Sequence, residues 1–410
     1  MSPRYRILVM VFVCVVINYM DRATISIAAS SLQGEFALTP VQMGLIFSAF
    51  GWTYAALQIP GGMLADVVRP RLLYTWSLIT WSTATLLLGF CNGIASLVSC
   101  RLALGTFQAP SFPINNRVVT TWFPEQERAG AIASYTSGQY VGLAFLTPVM
   151  IELQHRFGWR GLFIIAGAVG IAWGVFWYAR YRDPVTDDVG VRPKTLQGGK
   201  GGRLRDVLRH RKLWGIYLGQ FCVASTVWFF LTWFPSYLQK FRGFDLRASV
   251  WASVPFFAAF LGVLVSGHLS DWLVRRGVSV GVARKTPIIA GLLLTTSIVG
   301  ANYVDKPEHV IGFLALAFFG NGLASITWVF VSLMAPKHVL GLTGGVFNFC
   351  GNLSGIVVPL AVGFLVREGS FAPALVFIGA LALVGVVSYV FLVGSVVRIE
   401  TNDSISFEAK

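Results

Sequence analysis

The sequence predicts an all-α integral membrane protein of 12 transmembrane helices arranged as two six-helix halves, and three observations predict it. Hydrophobic residues make up 55% of the 410 and charged residues only 12%, with a mean hydropathy of +0.68; a soluble domain carries roughly 25% charged residues. The apolar residues fall into about twelve runs of roughly twenty, each long enough to cross about 30 Å of hydrocarbon as a helix. Lys and Arg collect in alternate connections: 23 of the 32 lie on one side of such an arrangement and 7 on the other, with Arg22 and Arg101 inside apolar runs. The positive-inside rule then puts both termini and the central loop in the cytoplasm. A net charge of +14 in a soluble chain would suggest nucleic acid, but its division between alternate loops excludes that reading. The alternation of a membrane β-barrel is absent.

The opening Met1-Ser2-Pro3-Arg4-Tyr5-Arg6 before an apolar run resembles a secretion signal. No small-residue cleavage site follows and the run contains Asp21 and Arg22, so it reads as the first spanning helix. The spans in order are 5–29, 42–65, 72–92, 95–121, 128–152 and 160–180, then 213–239, 247–272, 285–303, 309–333, 340–366 and 372–397. This division predicts an N-terminal bundle (1–180), a polar, basic cytoplasmic linker (181–212) broken by Gly198-Gly199-Lys200-Gly201-Gly202, and a C-terminal bundle (213–410). A short surface helix is expected over 204–211. Pro60, Pro110, Pro113, Pro148, Pro235 and Pro359 are expected to bend their helices.

Gly62-Met63-Leu64-Ala65-Asp66 ends the second span and Gly267-His268-Leu269-Ser270-Asp271 ends the eighth, half the chain length apart. A small residue lets two helices approach, and an Asp one turn later at the inner end can hold basic residues or a neighbouring helix terminus. Asp66 with Arg69 and Arg71, and Asp271 with Arg275 and Arg276, are therefore the predicted gating residues. The five cysteines have no metal-ligand spacing and read as buried thiols, although Cys91 and Cys100 flank one short outer turn and can meet. No cofactor or metal is expected, the proton being the coupling ion, and the chain is expected to act as a monomer in the lipid bilayer.

The functional signal is Ile17-Asn18-Tyr19-Met20-Asp21-Arg22, an acid and a base side by side inside an apolar run. Charge at bilayer depth costs several kcal/mol and persists where it faces a protein interior or water-filled path. Asp21 lies fifteen residues past Arg6, roughly 22 Å along the helix. Arg101, entering from the opposite side, reaches nearly the same depth, and Gln108 two turns on shares its face. Two cations against one anion favour an anionic guest, and arginine grips a carboxylate in two-pronged fashion. Asp21 is expected to pair with the arginines when the pocket is empty and to take up a proton as an anion arrives. Asn18, Tyr19, Tyr54, Gln139, Ser325, Thr327, Asn348 and Asn352 are polar positions an apolar span does not require, and together they fit a hydroxyl-rich ligand; Trp328 can floor the same cavity.

The two Gly-to-Asp segments resemble the signature loop of the major facilitator superfamily, with Val67 and Pro70 departing from its usual basic positions. Asn18-Tyr19-Met20-Asp21-Arg22, the run from Gln108 to Arg117, Trp122-Phe123-Pro124 and Thr343-Gly344-Gly345-Val346-Phe347-Asn348 resemble the anion:cation symporter branch of that superfamily. The resemblance covers nearly the whole chain. It implies parallel halves rocking about a midplane site and proton-coupled import of a sugar acid such as D-galactonate across a bacterial inner membrane. It also implies that Asp21 is the protonatable acid, Arg22 its neighbouring arginine, Arg101 the arginine of the fourth helix, and Tyr54, Gln139, Ser325, Thr327, Trp328 and Asn348 the cavity lining. Gln108 stands where that branch carries a second acid, either as a variant with one titrating site fewer or as a substitution imitating the protonated form. A proton-driven exporter and a non-transporting nutrient sensor share such a fold. A membrane enzyme would need a catalytic pair, which one Asp without an intramembrane His or metal cluster does not provide.

Overall fold

The computed structural model describes residues 3–183, 207–244, 250–336, 339–366 and 370–399, and every regular element among them is a helix. The linker expected at 181–212 falls outside them from 184 to 206, as do the first three residues of its expected surface helix. Helix α1 (Pro3–Glu35) runs through both in-span charges without interruption, since its first glycine is Gly34. After a turn in which Ala37 takes a φ of 49°, α2 (Pro40–Ala56) starts on a reciprocal cap: the Thr39 hydroxyl accepts from the Gln42 amide, and the Gln42 side chain accepts from the Thr39 amide. Then come α3 (Gln58–Val67), α4 (Pro70–Leu88), α5 (Ile94–Gln108), α6 (Ser111–Trp122) and α7 (Glu125–Arg180). Gly158, at φ 70° and ψ 175°, breaks α7 into two antiparallel-capable pieces.

The proline expectations resolve into two classes. Breaks fall at Leu57, three residues before Pro60, and at Ala109–Pro110, because proline lacks the amide that the preceding turn requires. Pro148 and Pro359 instead stay inside continuous helices. By length and apolarity alone, eight helices among the described residues qualify as membrane spans. The break at Leu57 divides the second expected span, that at Ala109 divides the fourth, and α7 joins the fifth and sixth; the third, α4, is unbroken but its Ser, Thr and Arg residues leave it too polar to qualify.

The later helices are α8 (Arg211–Thr232), α9 (Val254–Arg275), α10 (Val280–Thr295), α11 (Pro307–Leu323), α12 (Trp328–Met334), α13 (Leu340–Leu365) and α14 (Ala372–Val387). Two compact units emerge, one of residues 1–194, 228–257 and 355–374, the other of 195–227, 258–354 and 375–410. In the first, α1 and α4 both lie along α7, and α2 lies along α5. The α2 to α5 approach is close at Gly105, where a Cβ would run into the Phe50 carbonyl and the Thr53 hydroxyl. Thr53 also donates to the Leu102 carbonyl at 2.7 Å. Across the same unit a Cβ on Gly44 would meet the Pro359 carbonyl oxygen at 2.6 Å, and Trp233 donates its indole N–H to that oxygen at 3.1 Å. The second unit has its own core, with Ile216, Tyr217, Leu292, Phe330, Phe347 and Tyr389 buried together. It is tied by Asn321 donating to the Val223 carbonyl at 2.7 Å and Ser266 to the Leu323 carbonyl at 2.6 Å.

Because the obstruction at Gly105 is backbone on a facing helix, Gly105→Ala must push α5 off α2, at a cost of about 1–3 kcal/mol. Thermal unfolding of the detergent-solubilised variant is expected several degrees below wild type, and an unchanged midpoint would contradict the close contact.

Candidate functional site

Successive helical residues point about 100° apart, so Asp21 and Arg22 look at different neighbours. Asp21 is fully buried and turns to α4, where Trp81 donates its indole N–H to Oδ2 at 3.0 Å; Oδ1 has no hydrogen-bond partner in the protein. Arg22 faces α2 and α5. Its Nε donates to Gln108 Oε1 at 3.0 Å, and its guanidinium carbon lies 5.0, 4.8 and 4.5 Å from the ring centres of Tyr19, Phe50 and Tyr54. The expected ion pair between sequence neighbours is therefore replaced, among the described residues, by an aromatic cage worth up to about 2 kcal/mol per ring when desolvated.

Arg101 also lies against this Phe50 ring, its guanidinium carbon 5.0 Å from the ring centre. It donates through Nε to the Ile46 carbonyl at 3.4 Å and through Nη2 to the Phe47 carbonyl at 3.3 Å. Both carbonyls belong to α2, and neither neutralises charge. Arg22 and Arg101 are 5% and 1% exposed. Each keeps one guanidinium nitrogen, Nη2 and Nη1 respectively, without a partner, and Gln108 Nε2 is likewise unspent. Below them Asn18 donates to the Ser111 hydroxyl at 3.3 Å, leaving Asn18 Oδ1 and Asn115 Oδ1 unpaired. A buried, unsatisfied polar atom costs about 1–3 kcal/mol, more where charge is involved. Several such atoms from α1, α5 and α6 in one place make a site for a polar, negatively charged guest.

Of the predicted lining, Tyr19 and Tyr54 stand at Arg22, and Tyr54 stacks on Phe50 at 5.1 Å; Gln139 is half-buried on α7. Ser325, Thr327, Trp328 and Asn348 form a separate group in the second unit. There Thr327 donates to Gln220 Oε1 at 2.7 Å, Trp328 packs edge-on against Phe347 at 4.8 Å while 49% exposed, Ser325 is half-buried, and the Asn348 carbonyl accepts from Asn352. Sequence reasoning missed Trp81, Phe50, Ser111 and Gln220. Trp81, Phe50 and Ser111 carry no sequence mark in an apolar run until their partners are known, whereas Gln220 is an amide in such a run and was legible.

The gating residues need correction. Asp271 is bridged by Arg284 of α10 at 2.7 Å, and Arg284 also reaches the Ser270 hydroxyl at 3.0 Å. Arg275 does not take that place, and Arg276 stacks on Trp272 at 4.6 Å. In the first unit Asp66 and Arg69 are exposed and unpaired among the described residues. The inner end of α3 is instead held by Arg117 of α6, which donates to the Ala65 carbonyl and, at 2.8 Å, to the Val68 carbonyl. Arg71 turns to the Tyr178 carbonyl at 3.0 Å. Arg284 reaches Asp271 from α10 and Arg117 reaches the end of α3 from α6, each across from another helix. Cys91 and Cys100 do meet, with sulfurs 3.8 Å apart as free thiols.

Trp81→Phe removes the indole donor to Asp21 and is expected to cost about 1–3 kcal/mol. In an Asp21→Leu background the same change is expected to cost much less. Equal losses in the two backgrounds would show that the indole acts by packing alone.

Residues 11–359 match the Major Facilitator Superfamily. The chain is 51% identical to the D-galactonate transporter of Escherichia coli O6:H1, with 97% of each chain covered. It is 42% identical to the probable galactarate/D-glucarate transporter GudP of Escherichia coli strain K12, over 97% of this chain and 95% of that one. At 39% it resembles the GudP of Bacillus subtilis, over 97% and 93%. Its fold matches that of a bacterial homolog of the human lysosomal transporter Spinster, with a TM-score of 0.74 at 20% identity over 96% and 95% of the two chains. The nucleoside transporter NupG gives a TM-score of 0.72 at 13% identity, over 93% and 98%. The chain belongs to the Major Facilitator Superfamily, a family of multi-pass membrane transporters and not of enzymes.

Proposed function

We propose that the chain is a proton-coupled importer of a sugar acid such as D-galactonate, working by alternating access between the bundles 1–180 and 213–410. The observation that carries this reading is the pair of buried guanidinium groups, Arg22 and Arg101, both within 5.0 Å of the Phe50 ring centre, each with an unspent N–H and neither paired with a carboxylate among the described residues. A monocarboxylate guest supplies the missing charge and accepts both N–H groups. The unpaired Asn18, Gln108 and Asn115 atoms suit the hydroxyls of its polyol chain. The substrates for which the relatives are named, galactonate, galactarate and glucarate, all combine a carboxylate with such a chain.

Asp21 is the proton site in this reading. Its carboxyl is buried behind α1 with a single indole donor, so proton and anion need not occupy the same spot and can be carried together. Gln108 holds Arg22 in place of a second acid, which leaves one titrating carboxyl in the first bundle's constellation. In the first unit Tyr19, Tyr54 and Gln139 serve as sugar-acid contacts in this reading, and in the second unit Ser325, Thr327, Trp328 and Asn348 do. The Asp271 and Arg284 pair closes an inner helix end in one half of the cycle and opens in the other. Both termini lie in the cytoplasm, by the distribution of Lys and Arg.

Counterflow in proteoliposomes with aldonates, uronates and dicarboxylates tests substrate class, and an aldonate is expected to exchange fastest. Arg22→Lys keeps charge and loses the two-pronged geometry, so half-saturation is expected to rise at least tenfold. Asp21→Asn is expected to preserve counterflow and to abolish uptake driven by a pH gradient. Full pH-driven uptake by that variant would remove Asp21 as the proton site. Gln108→Glu is expected to steepen the pH dependence, and a pH profile identical to wild type would show that position 108 takes no part in coupling.

A further inference from the structure

The second unit carries a second concentration of positive charge that transport does not use. His210, Arg211 and Lys212, at the start of α8, line a cavity of about 320 Å³ with Val397, Arg398 and Ile399. The far wall is the strap 394–399, which leaves α14 through Gly394 at φ 55° and is pinned by the Ile399 amide donating to the Met334 carbonyl at 3.0 Å. Two ammonium groups converge on the start of this strap. Lys212 donates to the Ser395 carbonyl at 3.0 Å and its hydroxyl at 2.9 Å, and Lys285 of α10 donates to the Gly394 carbonyl. Arg398 donates to the Ser332 carbonyl at 2.8 Å.

These cations thus spend their N–H groups on neutral carbonyls, which satisfy hydrogen bonds without cancelling charge. No carboxylate pairs with any of them among the described residues, and none lines the cavity. Arg211 is exposed at its mouth with no partner among the described residues. One turn along α8, Trp214 is 49% exposed with its indole N–H fixed on the Leu208 carbonyl at 2.7 Å; Val397, in the cavity wall, is 61% exposed. An amphipathic indole beside cations at a helix end is the composition of a bilayer interface. This end also lies on the side that holds 23 of the 32 basic residues.

We propose that this cavity binds the phosphodiester headgroup of an anionic phospholipid, with Arg211, Lys212 and Arg398 around the phosphate and the acyl chains running past Trp214 and Val397. A free phosphate would use the same cations but has no use for the exposed apolar rim, which is why the lipid is the source assigned.

The test uses the delipidated full chain in a neutral detergent. Native mass spectrometry with added phosphatidylglycerol or phosphatidylcholine reads retained lipid, and thermal unfolding reads stabilisation by each lipid and by inorganic phosphate. Phosphatidylglycerol is expected to be retained several-fold more than phosphatidylcholine and to raise the unfolding midpoint, with inorganic phosphate having little effect. Arg211→Gln, which removes a charge without touching the strap, is expected to cut phosphatidylglycerol retention severalfold, and Arg211→Lys to keep most of it. Equal retention of the two lipids, or wild-type retention by Arg211→Gln, would overturn the site. Stabilisation by inorganic phosphate equal to that by phosphatidylglycerol would overturn the lipid source.

Discussion

Two guanidinium groups inside one helix bundle, with no carboxylate among the described residues to neutralise them, are the constraint to which the rest of the first unit answers. Burying a cation costs several kcal/mol unless something compensates. Here the compensation is partial: three aromatic rings around Arg22, two helix carbonyls under Arg101, and the amide of Gln108. The rings are attractive without being anionic, so they hold the cations in position and leave their charge available. An ionised protein carboxylate in the same place would pair with the arginines and compete with an anion until it took up a proton.

The helix interruptions serve that arrangement. Arg101 and Gln108 occupy the last two turns of α5, which ends where Ala109–Pro110 breaks the ladder and α6 begins with Ser111. The same break frees α6 to present Ser111 and Asn115 beside Asn18. The glycine contact between α2 and α5 lets the Phe50 ring of α2 approach Arg101 of α5, since any larger residue at 105 would displace the helix that carries Arg101. Local rules for proline and glycine thereby set the spacing of the charged groups.

Asp21 and Arg22 show how a helix separates chemistry that the chain places side by side. One residue of rotation sends the acid to Trp81 of α4 and the base to α2 and α5. In the proposed cycle a proton on Asp21 and an anion at the arginines act on faces of one helix about 100° apart, and coupling between them would run through the position of α1. The inner helix ends follow similar logic: Arg284 reaches Asp271, and Arg117 reaches the end of α3, each from the neighbouring helix.

The sequence by itself determined the membrane class, the approximate spans, the candidate charges and the family resemblance. Those rest on composition, run length and residue order, which need no partner to be read. Asp21, Arg22, Arg101 and Gln108 were legible because charge or amide in an apolar run stands out against hydrocarbon. Their pairing was not legible: Trp81, Phe50 and Ser111 are ordinary residues for a span until a second helix, dozens of residues away, is laid against the first. Only the tertiary structure decided that Asp21 meets an indole and Arg22 a cage of rings, because side-chain direction on a helix is periodic while its neighbours are set by packing between helices.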